Sequence, residues 1–394
     1  MKILKLEENT KVEFIFHFAD IHIRLNSRFV EYRYVFEKVY SKLKEYKANG
    51  ITNAVICIAG DILHSKVDLS PECTMETFNF FSNLSHIFPT IVIGGNHDTL
   101  LTNKSRVDSL TSILYERPLS NFFFLKETGV YRYNNLVFFI DSLFDDVQID
   151  MTTNNPMINK IKEEKCIPVT LYHGSVPGWR NTKGFVSKEG DKYISEMNGM
   201  VLCLLGDIHL YQSMNDESPK ALYSSSLISQ NFGETDANHG FICHHLEYNS
   251  NDVSLSHEYI RVKNKYRFQD VFVTNSGQTI VTDEKQYQLF DNNEFLKEGV
   301  IAEHGNLRVY SEKGMEIESR RVFEYLKKTF SKARWVFNNN LMERTTQEFL
   351  STATNTTDTS CDYNVIDSYF QQIQNKFTCD IQMKEAYKLS LIHI

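Results

Sequence analysis

Residue types that bind metal ions follow five short apolar segments of the chain. Each segment reads as a buried strand, because its apolar run is short and ends at glycine or polar residues. The segments are residues 13–19, 53–59, 90–94, 168–173 and 200–206. The candidate residues at their ends are Asp20 and His22, Asp61 and His64, Asn96, His97 and Asp98, His173, and Asp207 and His209. Ligands bind at the carboxyl ends of strands in open α/β folds, so these side chains are expected to meet at one edge.

This combination of side chains suits a pair of divalent cations. Two ions about 3.5–4 Å apart need a bridging oxygen, ligands on either side and an open position for the attacking water. Carboxylate, amide and imidazole groups supply such ligands, and the glycines of G-D, G-N-H-D and H-G leave space for a phosphate. The predicted chemistry is therefore metal-dependent hydrolysis of a phosphoester.

No single histidine of the thirteen carries this prediction. By itself, the G-N-H-D segment could be a turn with an asparagine cap. Histidines outside the motifs are interpreted as structural or surface residues, namely His17, His86, His239, His244, His245, His257 and His304. The joint occurrence of five ligand-bearing loops, each after an apolar strand, decides in favour of a site.

The order D-x-H, G-D, G-N-H-D, H-G and G-x-x-H over residues 14–212 resembles the calcineurin-like metallophosphoesterases. The resemblance implies an α/β fold, a four-layer αββα sandwich with a small C-terminal α+β capping domain. It implies two divalent ions, Mn²⁺ or alternatively Mg²⁺, with Asp61 bridging them. One ion would take Asp20, His22, Asp61 and His209, and the other Asp61, Asn96, His173 and Asp207.

Narrower features resemble the nucleases of the MRN and SbcCD double-strand-break repair complexes. His64 falls where those nucleases carry a histidine that positions the phosphate, and residues 222–234 and 239–241 are similar to their segment after the site. The resemblance implies that His97, held by Asp98, is a general acid or transition-state stabiliser. It also implies DNA as substrate, a homodimer and a coiled-coil ATPase partner of the SMC type.

Two positions depart from the family pattern. Asp207 stands where a histidine is usual, which should favour harder ions such as manganese or magnesium. Ser225 stands where a glycine is expected. Two other functions therefore stay open: a phosphatase or small-molecule phosphodiesterase on the same fold, and a DNA-end scaffold whose metal site is impaired by Asp207.

Contacts with the DNA backbone are predicted less firmly. Arg24, Asn26 and Arg28 follow the first motif and could bind phosphates, although solvated surface charge explains them equally well. Trp179 and Arg180, in the loop after His173, allow stacking and phosphate contact, but a buried tryptophan is an equal alternative.

The pattern of elements predicts three regions. Residues 1–265 are expected to form the nuclease domain, with helices over 29–49 and 71–86 and three strands over 122–142. The chain is expected to leave this domain from residue 256, and a small capping-like domain is predicted for 266–350. A linker and an amphipathic helix are predicted for 351–394, where a partner could bind. The last six residues, LSLIHI, match the translation of a common sequencing adapter, so the natural C-terminus is expected to differ.

Composition excludes several classes of protein. The 394 residues are 42% hydrophobic and 23% charged, which is typical of globular proteins and not of disordered ones. The net charge of −8 means that DNA binding must be local. Seven scattered cysteines and the lack of an apolar signal segment predict an intracellular, soluble protein without a membrane span, in the nucleus or cytoplasm depending on its source.

Overall fold

The computed structural model describes residues 1–6, 10–24, 28–181, 184–235, 238–249, 253–273, 279–283, 286–290, 300–312 and 314–342. Asn26 and the predicted linker and helix over 351–394 lie outside the described residues. No helix in the described segments has both the length and the apolar content needed to cross a bilayer.

The described chain forms strands throughout its length. In chain order they are β1 (Lys2–Lys5), β2 (Phe14–Phe18), β3 (Ala54–Ala59), β4 (Thr90–Ile93), β5 (Phe122–Phe124), β6 (Gly129–Tyr133), β7 (Leu136–Ile140), β8 (Ile167–His173), β9 (Leu202–Gly206), β10 (Gln212–Asn215), β11 (Lys220–Tyr223), β12 (Gly240–Tyr248), β13 (Val253–Arg261), β14 (Phe268–Val273), β15 (Thr279–Asp283), β16 (Gln286–Phe290), β17 (Asn306–Glu312) and β18 (Arg334–Met342). The five strands predicted before the candidate ligands are confirmed as β2, β3, β4, β8 and β9, with ends within two residues of the prediction.

Helices connect these strands. They are α1 (Phe29–Ala48), α2 (Pro71–Ile87), α3 (Ser109–Leu114), α4 (Pro156–Glu163) and α5 (Glu316–Thr329), with a 3-10 turn at Ile194–Met197. The Ser70 side chain accepts a hydrogen bond from the Cys73 amide, and Pro71 occupies the first helical position, so the start of α2 is fixed by sequence. The helices predicted over residues 29–49 and 71–86 are confirmed as α1 and α2.

The strands form three sheets. A seven-stranded sheet has the order β1-β6-β7-β8-β9-β11-β10, and a six-stranded sheet has the order β13-β12-β2-β3-β4-β5. Within them β2, β3 and β4 run parallel, as do β7, β8 and β9. Parallel neighbours direct their carboxyl ends to the same side, so the polar segments that follow β2, β3 and β4 leave their sheet together.

Three hydrophobic cores hold the two larger sheets and their helices in layers. Between the sheets, residues such as Val55 of β3 pack in one core with Leu171 of β8 and Leu204 of β9. The outer face of the six-stranded sheet packs against α1, α2 and α3, and that of the seven-stranded sheet packs against α4. Each fully buried aliphatic or aromatic side chain contributes roughly 1.5–3 kcal/mol. The α/β class predicted from the sequence is confirmed by these mixed sheets and helices.

The third sheet has the order β16-β15-β14-β17-β18 and packs against α5. We call β14–β18 and α5 the small module. The chain does not begin to leave the six-stranded sheet at residue 256, because β13 pairs with β12 as far as Arg261. Polar and apolar residues alternate along β13, as is typical of an edge strand with one face in solvent.

A buried histidine crosses the space between the two larger sheets. His17, on β2, is fully buried, and its Nε2 lies 3.2 Å from the carbonyl oxygen of Leu205 on β9. Nε2 of His244, on β12, lies 3.5 Å from Nδ1 of His17. Burial lowers the pKa of His17 from its ordinary 6.5 to about 3, against a smaller opposing effect of the Leu205 carbonyl. His17 is therefore a structural residue that stays neutral in the fold, as the sequence predicts.

We expect this histidine to weaken the fold in acid. Below pH 6.5 the unfolded chain binds a proton at His17 that the folded chain does not, so stability falls as pH decreases from about 6.5 to about 3. His17→Gln removes the titrating group and keeps a donor for Leu205, so the pH slope of the unfolding free energy should drop by up to about 1.4 kcal/mol per unit. Urea unfolding between pH 7.5 and 4.5 measures this slope. His86→Gln, at an exposed histidine, is the matched control and should leave the slope unchanged; equal slopes for all three proteins would contradict the prediction.

Candidate metal centre

The candidate ligands converge from two sheets. Asp20, Asp61 and Asn96 follow β2, β3 and β4 of the six-stranded sheet, whereas His173 ends β8 and Asp207 follows β9 of the seven-stranded sheet. The expectation that these side chains come together is confirmed for Asp20, His22, Asp61, His173 and His209, whose donor atoms lie within ligand-binding distance of one another. They meet where the carboxyl ends of two facing sheets come together, and the site exists only when both sheets are packed.

Asp61 lies between two histidines. Its Oδ1 is 3.3 Å from Nε2 of His173, and its Oδ2 is 3.5 Å from Nε2 of His22. Burial by itself would raise the pKa of Asp61, but His173, His22 and His97 hold this pKa well below its usual range. A carboxylate that stays charged and directs one oxygen to each side has the geometry that a bridging ligand needs.

One side of Asp61 carries a first group of ligand atoms. Donor atoms of Asp20, His22 and His209 all lie within 4.8 Å of one another. Nε2 of His22 is 3.0 Å from Nε2 of His209, and Nε2 of His209 is 3.9 Å from Oδ1 of Asp20. Burial raises the pKa of Asp20 to about 7, with His209 and His173 opposing the rise. Two ring nitrogens directed at each other beside a carboxylate are the arrangement that a shared cation satisfies.

The other side carries a second group. Donor atoms of Asp20, Asp61 and His173 lie within 4.8 Å of one another. Asn96 Oδ1 is buried and has no hydrogen-bond partner among the described residues, a costly condition that a bound cation relieves. Asp207 is more peripheral, with its Oδ1 3.8 Å from His173 Nε2. Oxygen and imidazole donors with unpartnered buried atoms thus fit divalent cations on both sides of Asp61.

The backbone of this site adopts conformations that are rare for residues with side chains. Asp20 (φ 53°), His22 (φ 50°), Asp61 (φ 53°) and Asp207 (φ 97°) all have positive φ. Such residues store on the order of 1–3 kcal/mol each and cluster at functional sites. Ser225 is also buried with φ 76°, which explains why a glycine is expected there.

Two glycines are required by close approach. A Cβ on Gly95 would lie 2.1 Å from Oδ1 of Asp61, and one on Gly60 would lie 2.5 Å from Nδ1 of His173. Gly60 also has a φ of +85°. The glycines in the G-D and G-N-H-D motifs therefore allow the ligand loops to approach each other.

His64 and His97 form a half-buried pair beside the ligands. Their rings stack with centroids 5.6 Å apart, and Nδ1 of His97 lies 2.7 Å from the carbonyl oxygen of His64. The expectation that Asp98 holds the His97 ring is wrong. The Asp98 carboxylate instead accepts hydrogen bonds from the amides of Ile62, Leu63 and Gly95. Asp98 joins the two ligand loops, and the His64 carbonyl orients His97.

The basic residues after the first motif differ from the prediction. Arg28 is 8% exposed, forms a two-bond ion pair with Glu31 and donates to the Ser229 carbonyl oxygen. Its expected contact with the DNA backbone is therefore wrong, because Arg28 is a structural residue at the start of α1. Arg24 is half-buried and donates from Nε to Oε1 of Gln230 at 3.0 Å. In the loop after β8, Trp179 packs partly buried against the core under the seven-stranded sheet, and Arg180 is exposed.

Glu234 is a functional residue whose role sequence reasoning did not assign. Its Oε1 lies 2.9 Å from Nδ1 of His209, on the side of the ring away from Asp20. Burial lowers the pKa of His209, but Glu234, followed by Asp20 and Asp61, raises it to about 9. A carboxylate on the outer nitrogen fixes the ring and tautomer of a ligating histidine. The only sequence feature that pointed to Glu234 was its place in residues 222–234, the segment after the site.

Binding of divalent cations should depend on Asp61. An ion concentration about 100-fold above its Kd stabilises the folded chain by about 2.7 kcal/mol, which raises its melting temperature. Asp61→Asn keeps an oxygen for the His97 amide but removes the bridging charge, so this rise should be lost with most of the binding heat. Melting curves and calorimetric titration with Mn²⁺ measure both effects. The exposed Asp146→Asn is the control, and an Asp61→Asn protein that still binds two ions would disprove the assignment.

Comparison with known proteins agrees with this geometry. Residues 15–224, more than half of the chain and including all the candidate ligands, match the calcineurin-like phosphoesterase family. Over 287 residues the chain is also 38% identical to the uncharacterized protein R555 of Acanthamoeba polyphaga mimivirus. That match covers 71% of this chain and 20% of the viral protein, so the chain spans about a fifth of this relative's length. The chain belongs to the calcineurin-like phosphoesterase family, whose members bind divalent metal ions and hydrolyse phosphoesters.

Proposed function

We propose that this chain is a DNA nuclease that hydrolyses phosphodiester bonds, by exonuclease and endonuclease action, in double-strand-break repair or recombination. The family supports metal-dependent phosphoester hydrolysis, and the observation that carries the narrower proposal is the pair His64 and His97. Mn²⁺ is the proposed ion, because Asp207 adds an anionic oxygen where the family normally has an imidazole.

The His64–His97 pair is placed to handle a phosphodiester. Both rings are half-exposed, whereas Asp20, His22, Asp61 and His173 are buried. Because Nδ1 of His97 is engaged by the His64 carbonyl, Nε2 is the ring nitrogen available to a substrate oxygen. Two imidazoles side by side can contact the phosphate and the leaving oxygen of one bond. A diester needs this proton donor, because a strand end leaves as an alkoxide unless it is protonated.

The residues divide the chemistry among them. Divalent ions, when bound, would activate the attacking water and neutralise phosphate charge. Asp20, His22, Asp61 and His209 would hold one ion, and Asp61, Asn96, His173 and Asp207 the other. The half-buried Asn96 amide and His64 would steady the phosphate, and His97 in its imidazolium form would give its Nε2 proton to the departing oxygen and keep the Nδ1 proton on the His64 carbonyl. Asp98 keeps the loops of Asp61 and Asn96 together through its three amide contacts.

DNA would approach the half-exposed rings of His64 and His97 on a chain whose net charge is −8. Arg24 is a local source of positive potential, since it is close enough to His64 to help lower the pKa of that ring, after burial, to about 4.

We further propose that residues 1–265 form the nuclease domain as a four-layer sandwich and that residues 266–350 cap it. The proposal includes a homodimer, an SMC-like coiled-coil ATPase partner, and a place in the nucleus or cytoplasm.

His97→Ala should abolish detectable cleavage in a gel assay and spare DNA binding. Loss of the proton donor should slow hydrolysis by about 10²–10⁴-fold, because the leaving strand is no longer protonated. Gel assays of end-labelled DNA with Mn²⁺ measure cleavage, and anisotropy measures binding. His86→Ala, at an exposed histidine of α2, is the matched control. Cleavage by His97→Ala at the unmodified rate would remove His97 from the mechanism.

A phosphatase or small-molecule phosphodiesterase on the same fold is the first alternative. Parallel assays of DNA ends and of a chromogenic phosphomonoester with the same Mn²⁺-loaded protein distinguish them. Turnover of the monoester with intact DNA would replace the nuclease proposal by this alternative.

The position of Asp207 favours the second alternative, a DNA-end scaffold. Its carboxylate lies 3.8 Å from His173 Nε2 but belongs to none of the groups of donor atoms that lie within 4.8 Å of one another. Asp207→His should shift the preferred ion from Mn²⁺ towards Zn²⁺, since imidazole suits the softer ion and histidine tolerates the positive φ of this position better than most residues. Affinities and cleavage rates with both ions measure the shift, with Asp146→His as the surface control. If the unmodified chain with saturating Mn²⁺ binds DNA ends and never cuts them, the scaffold function is correct.

A further inference from the structure

A short loop links the metal centre to the small module. We call residues 229–235 the clamp loop. Within it, Oε1 of Glu234 lies 2.9 Å from Nδ1 of His209. Oε2 of Glu234 accepts hydrogen bonds from the backbone amide of Gln230 at 2.8 Å and from the Ser226 hydroxyl at 3.3 Å. The Glu234 side chain is 10% exposed. The position of this carboxylate is therefore set by the conformation of the loop.

Residues of the small module contact the clamp loop on both sides of Glu234 in sequence. On the N-terminal side of Glu234, the contact is at Phe232. Cζ of Arg308, on β17, lies 4.4 Å from the centroid of the Phe232 ring, and Nη2 of Arg308 donates to the Phe232 carbonyl oxygen at 3.4 Å. After Glu234, the Thr235 hydroxyl donates to Oδ2 of Asp270, on β14, at 3.3 Å. Arg308 also donates to both oxygens of Asp270, at 2.8 and 3.0 Å. One side-chain pair thus holds both attachment points.

We infer that Arg308 is a positioning residue for the metal centre, acting through Phe232 and Asp270 on the clamp loop and through Glu234 on the His209 ring. The inference rests on the metal centre of the proposed function but not on its substrate. The contacts described for Arg308 are with Asp270, Phe232 and Tyr310 and not with a candidate ligand, so the contact route from Arg308 to the metal centre is the clamp loop. The small module then contributes to ion affinity.

Planarity explains why an arginine occupies this position. The guanidinium presents a flat face to the Phe232 ring while its edge donates two parallel hydrogen bonds to the Asp270 carboxylate. A lysine keeps the charge but can satisfy only one of these contacts well. Arg308→Lys should therefore have an intermediate effect, whereas Arg308→Met keeps the aliphatic stem and loses all the polar contacts.

The test compares divalent-ion affinity in matched variants of the full chain. Arg308→Met should weaken Mn²⁺ binding by about 2- to 30-fold in calorimetric titration, the usual range for a residue that couples to a site without touching it. Arg320→Met is the control, because Arg320 lies in the same module and contacts Glu324, Phe323 and Phe337, all within that module. Control affinity equal to that of the unmodified chain is expected.

A double variant separates positioning from general loss of stability. Glu234→Gln alone should weaken binding by about 10- to 100-fold, as is usual for a partner of a ligating histidine. In that background Arg308→Met should add little, because its route to His209 is already broken, whereas a purely structural role would give additive effects. Titrations are run well below the melting temperature of each ion-free protein, and Arg308→Lys serves if Arg308→Met does not fold.

The outcomes are distinct. Unchanged Mn²⁺ affinity in Arg308→Met or in Arg308→Lys, or additivity with Glu234→Gln, would overturn the inference while leaving the proposed nuclease intact. Failure of the unmodified chain to bind any divalent ion would contradict the proposed function itself. Weakened binding with normal affinity in the Arg320→Met control supports Arg308 as a positioning residue.

Discussion

The structure depends on one electrostatic constraint, the burial of Asp20 and Asp61 beside His22 and His173 in the same small volume. Buried carboxylates repel each other and lose hydration, and the two aspartates respond in opposite ways, with the pKa of Asp20 raised and that of Asp61 lowered. Packing of the described residues alone does not resolve this conflict, since a buried ligand atom such as Oδ1 of Asn96 has no hydrogen-bond partner among them. Divalent cations between these groups resolve it, and the surrounding architecture keeps the groups close enough to bind them.

That requirement explains features which would otherwise look unfavourable. Ligands at positive φ and glycines that admit no Cβ are tolerated because strong parallel pairing of β2, β3 and β4 holds the loops that follow them. Asp98 and Glu234 act behind the ligands, one on loop amides and one on the His209 ring. Strain at the centre is thus balanced by hydrogen bonds one layer further out.

Much of the fold was readable from the sequence because its central strands are buried on both faces. Runs such as residues 54–59 are apolar throughout, and α1 carries an aromatic stripe that packs on the sheet. The edge strand β13 alternates between polar and apolar residues, a pattern that indicates a strand but not the strand with which it pairs. Its place beside β12 at the edge of the six-stranded sheet is set by tertiary pairing, which no local pattern reveals.

The candidate ligands could likewise be predicted from local motifs, whereas their partners could not. Asp98 neighbours His97 in sequence, yet its side chain points to the loop after β3, and adjacency was misleading. Arg28 follows the first motif as a phosphate-binding residue would, but Glu31 one helical turn later neutralises it. Glu234 meets His209 only through the tertiary path of the clamp loop. Contacts between distant segments are set by packing, so single-sequence reasoning finds the donors and misses what orients them.

The origin of the ligands in two different sheets has a consequence for folding. Neither of the two larger sheets alone can form the centre, so the full set of ligands exists only once the interior between Val55, Leu171 and Leu204 has formed. Cation affinity then reports how accurately the two sheets are aligned. A large-to-small substitution in this interior, far from any donor atom, would leave a cavity between the two sheets and so weaken ion binding.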